Sequence, residues 1–298
     1  MKRPDFFIVG APKCGTTAMY KYLKQHPEIF MPERKEIHFF GTDLKSKYFL
    51  REKDIYLSLF SKAKDEKRIG ECSVWYLYSK KAAEEIKEFY PSARIIIMLR
   101  NPVDMLYSQH SQFIYNGNED IVDFEDALNA EDDRKRGLRI PKSVHFVESL
   151  FYRETAKFSQ QVKRYLNIYE KENIHIIIYD DLKRDTEEVY KKTLHFLDVN
   201  EGFLPELKII NPNKRARTKI LRKLYSDQPL LTKSVGKILI PSAFRTKLLR
   251  ALKKINTKYL PRPPMDAELR KKLQAEFAPE VENLSKLLGR DLTHWVLT

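Results

Sequence analysis

The sequence has only two cysteines among its 298 residues. This number excludes a disulfide-stapled scaffold and favours a reducing compartment. The sequence also has no apolar run near the roughly 20 residues that a membrane-spanning helix needs. The apolar stretch after the basic start, Met1 to Arg3, is too short for the core of a signal peptide. We therefore expect a cytoplasmic protein whose first apolar residues form a strand.

No internal repeat, low-complexity tract or Gly/Ser-rich linker interrupts the chain. Its seven histidines and two cysteines do not fall at the spacing of a metal site. Hydrophobic residues make up 42% and aromatic residues 12% of the sequence, which excludes a disordered, collagenous or coiled-coil chain. We predict a single domain over residues 1–298, with a basic segment at 214–262 and a terminal helix at 266–288 as its appendages.

The net charge of +14 is concentrated in that basic segment, which contains 15 basic residues and one acid, Asp227. Apolar residues between Phe244 and Ile255 fall on one helical face and basic residues on the other. Two interpretations stay open: a helix packed on the core with a solvated basic face, or a helix resting on an anionic membrane or substrate surface. Nucleic acid is not expected as a partner, because no recognised nucleic-acid module accompanies the charge.

Short apolar, β-branched runs alternate with helical stretches along the chain. The runs predict buried strands over residues 6–9, 94–99 and 174–179. Helices are predicted up to residue 25, from residue 102, and over 144–172, 181–197 and 266–288. This alternation predicts an α/β fold of three layers, P-loop-like, in which helices flank a central, mostly parallel sheet.

The stretch from Gly10 to Thr17 joins the first predicted strand to a helix. Such a turn is an anion site, because its N–H groups and the helix N-terminus converge on one point. The nucleoside-triphosphate loop, Gly-x-x-x-x-Gly-Lys-Ser/Thr, matches at both glycines, but Thr16 occupies the lysine position. The second strand runs into Arg100, a cation where that class of enzyme places a metal-binding acid. The loop therefore predicts an anion site without a metal ion.

Two motifs resemble those of sulfotransferases that use 3′-phosphoadenosine 5′-phosphosulfate (PAPS). Residues 9–17, Val-Gly-Ala-Pro-Lys-Cys-Gly-Thr-Thr, resemble the 5′-phosphosulfate loop, and residues 97–108 resemble the 3′-phosphate motif. Further stretches similar to the family lie at 35–40, 70–73, 179–182 and 288–295. The resemblance covers nearly the whole chain and is nearest the glycan-type and stand-alone bacterial members.

The resemblance implies a set of residues that bind PAPS. Lys13 would contact the phosphosulfate bridge and stabilise the leaving phosphate, while Arg100 and Ser108 would bind the 3′-phosphate. Each of these three residues has an alternative interpretation: Lys13 as a solvated loop lysine, Arg100 as a salt-bridged arginine, and Ser108 as a helix-surface serine. The other residues assigned to the nucleotide by this resemblance are Cys14, Gly15, Thr16, Thr17, Lys214, Arg215 and Arg217. Cys14 is a loop-filling residue rather than a nucleophile in this interpretation.

The stretch at 35–40 implies the general base. Glu36 matches the glutamate that takes this role in glycan-type relatives; His38 is the rival base, and a mechanism with neither stays open. Lys35 would keep Glu36 ionised or contact an anionic acceptor. Glu71 and Ser73 would line the acceptor site or, alternatively, cap a strand end, and Cys72 stands where glycan enzymes often have a lysine.

These features together predict an enzyme that transfers a sulfuryl group from PAPS to an acceptor. The acceptor is expected to be a hydroxyl, in preference to an amine, of a glycan, glycolipid or small metabolite. Two rivals stay open: a small-molecule phosphotransferase with an unusual loop, and a non-catalytic protein that binds membrane or nucleic acid through the basic segment.

Overall fold

The computed structural model describes residues 2–207, 213–216, 218, 251–252 and 255–297. Contacts between residues divide the chain into two compact units. The first comprises Met1–Met105, Glu154–Ile210 and Arg270–Thr298, and the second comprises Leu106–Arg153 and Asn211–Leu269. The single-domain organisation stays a prediction.

A parallel sheet of five strands forms the centre of the first unit. In chain order the strands are β1 (Phe6–Gly10), β2 (Ile29–Phe30), β3 (Arg68–Cys72), β4 (Arg94–Leu99) and β5 (Ile174–Ile178). Their order across the sheet is β2-β3-β1-β4-β5, and every neighbouring pair is parallel. All five residues of β1 are buried, as expected for a central strand covered on both faces. This sheet, flanked by helices, confirms the predicted fold class.

The helices follow the strands largely as the sequence predicts. The chain contains α1 (Thr16–Leu23), α2 (Lys53–Ser58), α3 (Ala82–Phe89), α4 (Pro102–Asn116), α5 (Phe124–Asn129), α6 (Glu131–Lys135), α7 (Tyr152–Thr155), α8 (Phe158–Leu166), α9 (Tyr179–Arg184), α10 (Thr186–Leu197) and α11 (Ala267–Leu288). Asn101 caps α4, because its Oδ1 accepts from the Val103 N–H at 3.0 Å. Gly289 follows α11 with a left-handed φ of 61°.

The helix predicted over 144–172 is wrong. That stretch contains two short 3₁₀ turns, Val147–Leu150 and Lys171–Asn173, besides α7 and α8. Within the first unit, the carboxylate of Glu280 on α11 accepts from the Ser159 N–H at 2.5 Å and from its hydroxyl at 2.9 Å. A side chain distant in the sequence therefore caps α8 and lets a new helix begin there. The helix predicted over 181–197 is likewise two helices, since Asp185 caps α10.

The second unit contains a two-stranded antiparallel sheet, β6 (Lys214–Ala216) with β7 (Thr257–Tyr259). Asn256, just before β7, is hydrogen-bonded to the chain just after β6, because its Oδ1 accepts from the Thr218 N–H at 2.9 Å. The apolar and basic helix predicted around Phe244 lies mostly outside the described residues. Among the described residues, no helix has the length and apolar character to cross a membrane.

Candidate active site

The loop between β1 and α1 leads into a helix N-terminus that no side chain caps. Gly15, at the N-terminus of α1, has a φ of 93°, and a Cβ there would lie 2.8 Å from Leu182 Cδ2. No side chain caps α1, and its first turn contains no acidic residue. The N-terminus therefore keeps the positive end of the helix dipole for a ligand. Thr16, at the start of α1, is buried, and the next residue, Thr17, is half-buried.

Lys13 and Arg100 bring positive charge to this loop. Lys13 has a left-handed φ of 63°, and Arg100 Nη1 donates to the Lys13 carbonyl at 3.4 Å. The Arg100 guanidinium lies over the Tyr179 ring, 4.7 Å from its centroid. Asp104 Oδ2 is 3.8 Å from Arg100 Nη2, but its other oxygen accepts from Arg270 at 2.9 Å. Arg100 is therefore placed against the loop and not engaged in a close salt bridge with Asp104.

Cys14 lies in the same loop with no exposed surface. Burial raises the pKa of its thiol to about 12, against the opposing charges of Arg100 and Lys13. The thiol donates to the Pro12 carbonyl at 3.3 Å. Helix α1 therefore does not produce a thiolate here, and any contact of Cys14 with a ligand would come from its backbone.

Lys35, Glu36 and His38 form a cluster at the carboxyl end of the sheet. Lys35 Nζ forms an ion pair with Glu36 Oε1, and His38 Nε2 lies 3.3 Å from Glu36 Oε2. The Val74 N–H donates to the same Oε2 at 3.0 Å. The Val74 carbonyl oxygen in turn would be only 2.7 Å from a Cβ on Gly10. Val74 thus connects the Glu36 carboxylate with Gly10. Gly10 is the first glycine of the loop between β1 and α1, residues 10–17, which we call the phosphate loop.

The protonation states of this cluster differ. The partial burial of Glu36 would raise its pKa, but the charge of Lys35 and the hydrogen bond from Val74 hold it below its ordinary value. Burial lowers the pKa of His38 to about 4, and only 6% of its side chain is exposed. Near pH 7, Glu36 is therefore a carboxylate and His38 a neutral imidazole.

Glu71 and Ser73 lie beneath this cluster with no exposed surface. Ser73 Oγ donates to Glu71 Oε1 at 2.5 Å and accepts from the His38 N–H at 3.0 Å. Tyr56 and Tyr76 donate to Glu71 Oε2 at 2.8 and 3.0 Å. This burial favours the strand-end role over direct contact with an acceptor. Sequence reasoning missed both tyrosines, whose contacts are formed only in the folded chain.

In the second unit, Ser108 is buried on α4 beside an arginine that sequence reasoning did not single out. Arg262 Nη2 donates to Ser108 Oγ at 3.0 Å, and the guanidinium lies 5.4 Å from the centroid of the Tyr107 ring. Arg262 ends the basic segment, between Pro261 and Pro263. The signal available in the sequence was this arginine held in a proline-rich, extended stretch.

Of the other residues predicted to bind the nucleotide, Lys214 and Arg215 are in β6, and Arg217 lies outside the described residues. In the part of the chain that the structure describes, no group of three or more His, Cys, Asp or Glu side chains is arranged to hold a metal ion.

A family model of the sulfotransferase domain matches residues 3–211. The chain belongs to the sulfotransferase family. A sulfotransferase of known structure from Alicyclobacillus acidocaldarius is 29% identical, covers 99% of both chains and superposes with a TM-score of 0.75. These matches confirm the family recognised in the sequence and the predicted enzyme class, and sulfotransferases use PAPS as their sulfuryl donor.

Curated relatives of this sulfotransferase are larger proteins. Human carbohydrate sulfotransferase 15 is 26% identical over 84% of this chain and 53% of its own length. Human bifunctional heparan sulfate N-deacetylase/N-sulfotransferase 3 is 27% identical over 98% of this chain and 31% of its own length. The chain thus spans about half or less of the length of these relatives.

Proposed function

We propose that this chain transfers a sulfuryl group from PAPS to a hydroxyl, in preference to an amine, of a glycan, glycolipid or small metabolite. The observation that carries the proposal is the link through Val74. Its N–H donates to the Glu36 carboxylate at 3.0 Å, and its carbonyl lies against Gly10 of the phosphate loop. A base and an anion site are thereby adjacent, as transfer from a bound donor requires.

In the proposed reaction, Glu36 removes the proton of the acceptor hydroxyl while its oxygen attacks sulfur in line. The new O–S bond forms as the S–O bond to the 5′-phosphate breaks, and 3′-phosphoadenosine 5′-phosphate (PAP) leaves. Lys13 and the N-terminus of α1, with Gly15, Thr16 and Thr17, stabilise the charge that develops on the leaving phosphate. Arg100 at the end of β4 supplies a cation, so the proposed mechanism uses no metal ion.

Two contacts support separate roles in binding the 3′-phosphate. Arg100 is held against the loop by the Lys13 carbonyl and the Tyr179 ring. Within the second unit, Ser108 and Arg262 present a hydroxyl beside a guanidinium, a combination suited to phosphate. Lys214, Arg215 and Arg217 keep the role predicted from the sequence.

The names of the relatives support a glycan acceptor, because both printed activities concern carbohydrate or heparan sulfate. The hydroxyl and amine alternatives can be distinguished by offering acceptors with and without a free amine. Contact of the basic segment with an anionic membrane stays a prediction, since most of that segment lies outside the described residues. A cytoplasmic location likewise stays a prediction.

The test compares ligands first and acceptors second. Melting temperatures are measured with PAP and with ADP–Mg²⁺; stabilisation by PAP alone supports the sulfotransferase, and stabilisation by ADP–Mg²⁺ alone supports the phosphotransferase. Radiolabelled PAPS is then offered with heparan sulfate and with its N-deacetylated form, with and without EDTA. No transfer to either glycan and no stabilisation by PAP would overturn the proposal, and transfer abolished by EDTA would overturn its metal-free mechanism.

A further inference from the structure

The loop that carries the proposed base, residues 36–44, has an irregular backbone. Glu36 and His38 have left-handed φ values of 59° and 53°, and Lys13 of the phosphate loop shares this feature. Such conformations are strained for residues other than glycine and persist only where the surroundings fix them. The 36–44 loop therefore needs contacts that hold its backbone in place.

The N–H groups of the 36–44 loop are held from one side by three side chains. Ser73 Oγ accepts from His38, Tyr76 OH accepts from Phe39 at 2.8 Å, and Glu85 Oε2 accepts from Gly41 at 2.6 Å. Buried loops are rare because such backbone groups need partners. Three N–H groups of the loop are thus matched to acceptors in the turn after β3 and on α3.

The carbonyl groups are held by one residue, Arg51. Its Nη1 donates to the carbonyls of Phe39 and Phe40 at 2.7 and 2.9 Å. Its Nη2 donates to those of Gly41 and Leu44 at 2.8 and 2.7 Å. A planar guanidinium can reach four acceptors in this way, whereas an ammonium is a point charge with three donors.

Arg51 is also connected to His38 through an aromatic ring. The His38 ring stacks on Phe49, with centroids 4.5 Å apart and an interplanar angle of 27°. The Arg51 guanidinium lies 5.5 Å from the centroid of the same ring. Between them, the Leu50 N–H donates to the Ile37 carbonyl at 3.1 Å. The chain around Arg51 therefore contacts the loop through its side chain, through the Phe49 ring and through a backbone hydrogen bond.

We infer that Arg51 is a positioning residue for the proposed reaction, one that fixes the 36–44 loop so that Glu36 and His38 keep their places beside the phosphate loop. The inference rests on the proposed function and adds to it a residue that touches neither donor nor acceptor. Because Arg51 acts on the base and not on the nucleotide, it is expected to affect turnover and not donor binding.

The experiment compares Arg51→Met, which removes all four donors, with Arg51→Lys and with the control Arg34→Met. Arg34 is a suitable control because it is exposed and donates a single 3.3 Å bond to the Tyr48 carbonyl. We measure kcat and KM for PAPS as PAP release with heparan sulfate present, the Kd of PAP, and deuterium uptake of the peptide covering residues 36–44. Melting temperatures identify any variant that does not fold.

For Arg51→Met we expect kcat to fall about a hundredfold, since small misplacements of a catalytic group have effects of this size. PAP affinity should stay within twofold of the unmodified protein, and deuterium uptake should rise in the 36–44 peptide alone. Arg51→Lys should lose about tenfold, and Arg34→Met should change none of these quantities. If Arg51→Met does not fold, the kcat, PAP affinity and deuterium uptake of Arg51→Lys decide whether Arg51 positions the loop.

Two results would overturn the inference: a kcat within threefold of the unmodified protein, or a loss of PAP affinity as large as the loss of kcat. Unchanged deuterium uptake in Arg51→Met would also overturn it, whatever the catalytic result. This readout needs no turnover. Failure of the proposed function, seen as no PAP release and no PAP binding in the unmodified protein, is therefore distinguishable from failure of the positioning role.

Discussion

The Nε2 atom of His38 lies 3.3 Å from Oε2 of Glu36, and both groups are in their deprotonated forms near pH 7. Burial lowers the pKa of His38 to about 4, whereas Lys35 keeps the pKa of Glu36 below its ordinary value despite partial burial. Since either group could then accept a proton, exposure decides between them: 37% of the Glu36 side chain is exposed, against 6% of the His38 side chain. Access to an acceptor therefore favours Glu36 over its rival as the base.

This assignment predicts the pH dependence of turnover. A base with a lowered pKa stays ionised until the pH falls below the ordinary range of a glutamate, so kcat should be flat between about pH 6 and 8. Glu36→Gln should lower kcat at least about a hundredfold, and His38→Ala should leave the shape of the profile unchanged. The kcat values of both variants near pH 7, together with their profiles from pH 4.5 to 9, decide the question. A kcat that falls at least about a hundredfold in His38→Ala and stays near the unmodified value in Glu36→Gln would make His38 the base.

The ion pair between Lys35 and Glu36 supplies a second prediction. Without the ammonium, the pKa of Glu36 should rise, so Lys35→Met should move the acid limb of the kcat profile to higher pH. Lys24→Met is the matched control, because Lys24 pairs with Glu33 at 2.7 Å but Glu33 has 87% of its side chain exposed. An acid limb that stays in place in Lys35→Met would show that Lys35 does not set the charge of Glu36.

Lys13 should contribute to the stabilisation of the leaving group. Lys13→Ala should lower kcat at least about a hundredfold, the size of effect seen when a single electrostatic donor to a transition state is removed. Lys21→Ala, at an exposed lysine in the last turn of α1, should have almost no effect. Single-turnover rates with saturating PAPS separate this effect from donor binding. A loss of less than tenfold would remove Lys13 from the mechanism.

Local sequence signals were enough to predict the strand, turn and helix around the phosphate loop, and the start of α4. Buried β-branched runs, glycine spacing and the Asn101 cap each act within a few residues. The two-residue strand β2 was missed because its pairing with β3 leaves no periodic pattern. The helix break before α8 was missed for a related reason, since Glu280 caps it from more than a hundred residues away.

In the candidate site, too, local sequence signals predicted some features, and contacts between distant residues determined the others. Motifs identified Glu36, His38 and Lys13, but not the contacts that fix them. Arg51 acts through backbone carbonyls and Arg262 through Ser108, and neither contact depends on a spacing that a sequence displays. Protonation states are likewise set by burial, which is known only once the loop has folded.

Glu71 provides a prediction on stability. Burial raises the pKa of its carboxyl to about 7, against hydrogen bonds from Ser73, Tyr56 and Tyr76 that lower it. The folded state therefore binds this proton more tightly than the unfolded state does. Stability should accordingly fall as the pH rises from about 4.5 to 7, then stay level, with about 3 kcal/mol as an upper limit for this group.

The variant Glu71→Gln isolates that contribution, because an amide carries no charge at any of these pH values. The free energy of unfolding is measured in urea at intervals from pH 5 to 8 for both proteins. As the pH rises, the free energy of unfolding of Glu71→Gln should increase relative to that of the unmodified protein. A difference that does not depend on pH would show that Glu71 is ionised in the folded protein throughout.

In the second unit, Glu119 and Arg134 form a fully buried ion pair, with 2.7 Å between Oε1 and Nη2 and neither side chain exposed. Tyr152 donates to the other carboxylate oxygen at 2.9 Å. Removing one partner leaves an uncompensated buried charge, so Arg134→Met should lower the free energy of unfolding by about 3–5 kcal/mol. Lys192→Met, at a lysine whose ion pair with Glu188 is exposed on both sides, should cost no more than about 1 kcal/mol.

A double variant tests whether the buried charge, and not the lost volume, causes that destabilisation. Glu119→Gln removes the charge and retains an amide oxygen that accepts a hydrogen bond, so adding it to Arg134→Met should recover part of the lost stability. Urea unfolding of the single and double variants gives the coupling energy. If the double variant is less stable than Arg134→Met, the isolated charge of Glu119 is not the cause, and packing around Arg134 accounts for the loss.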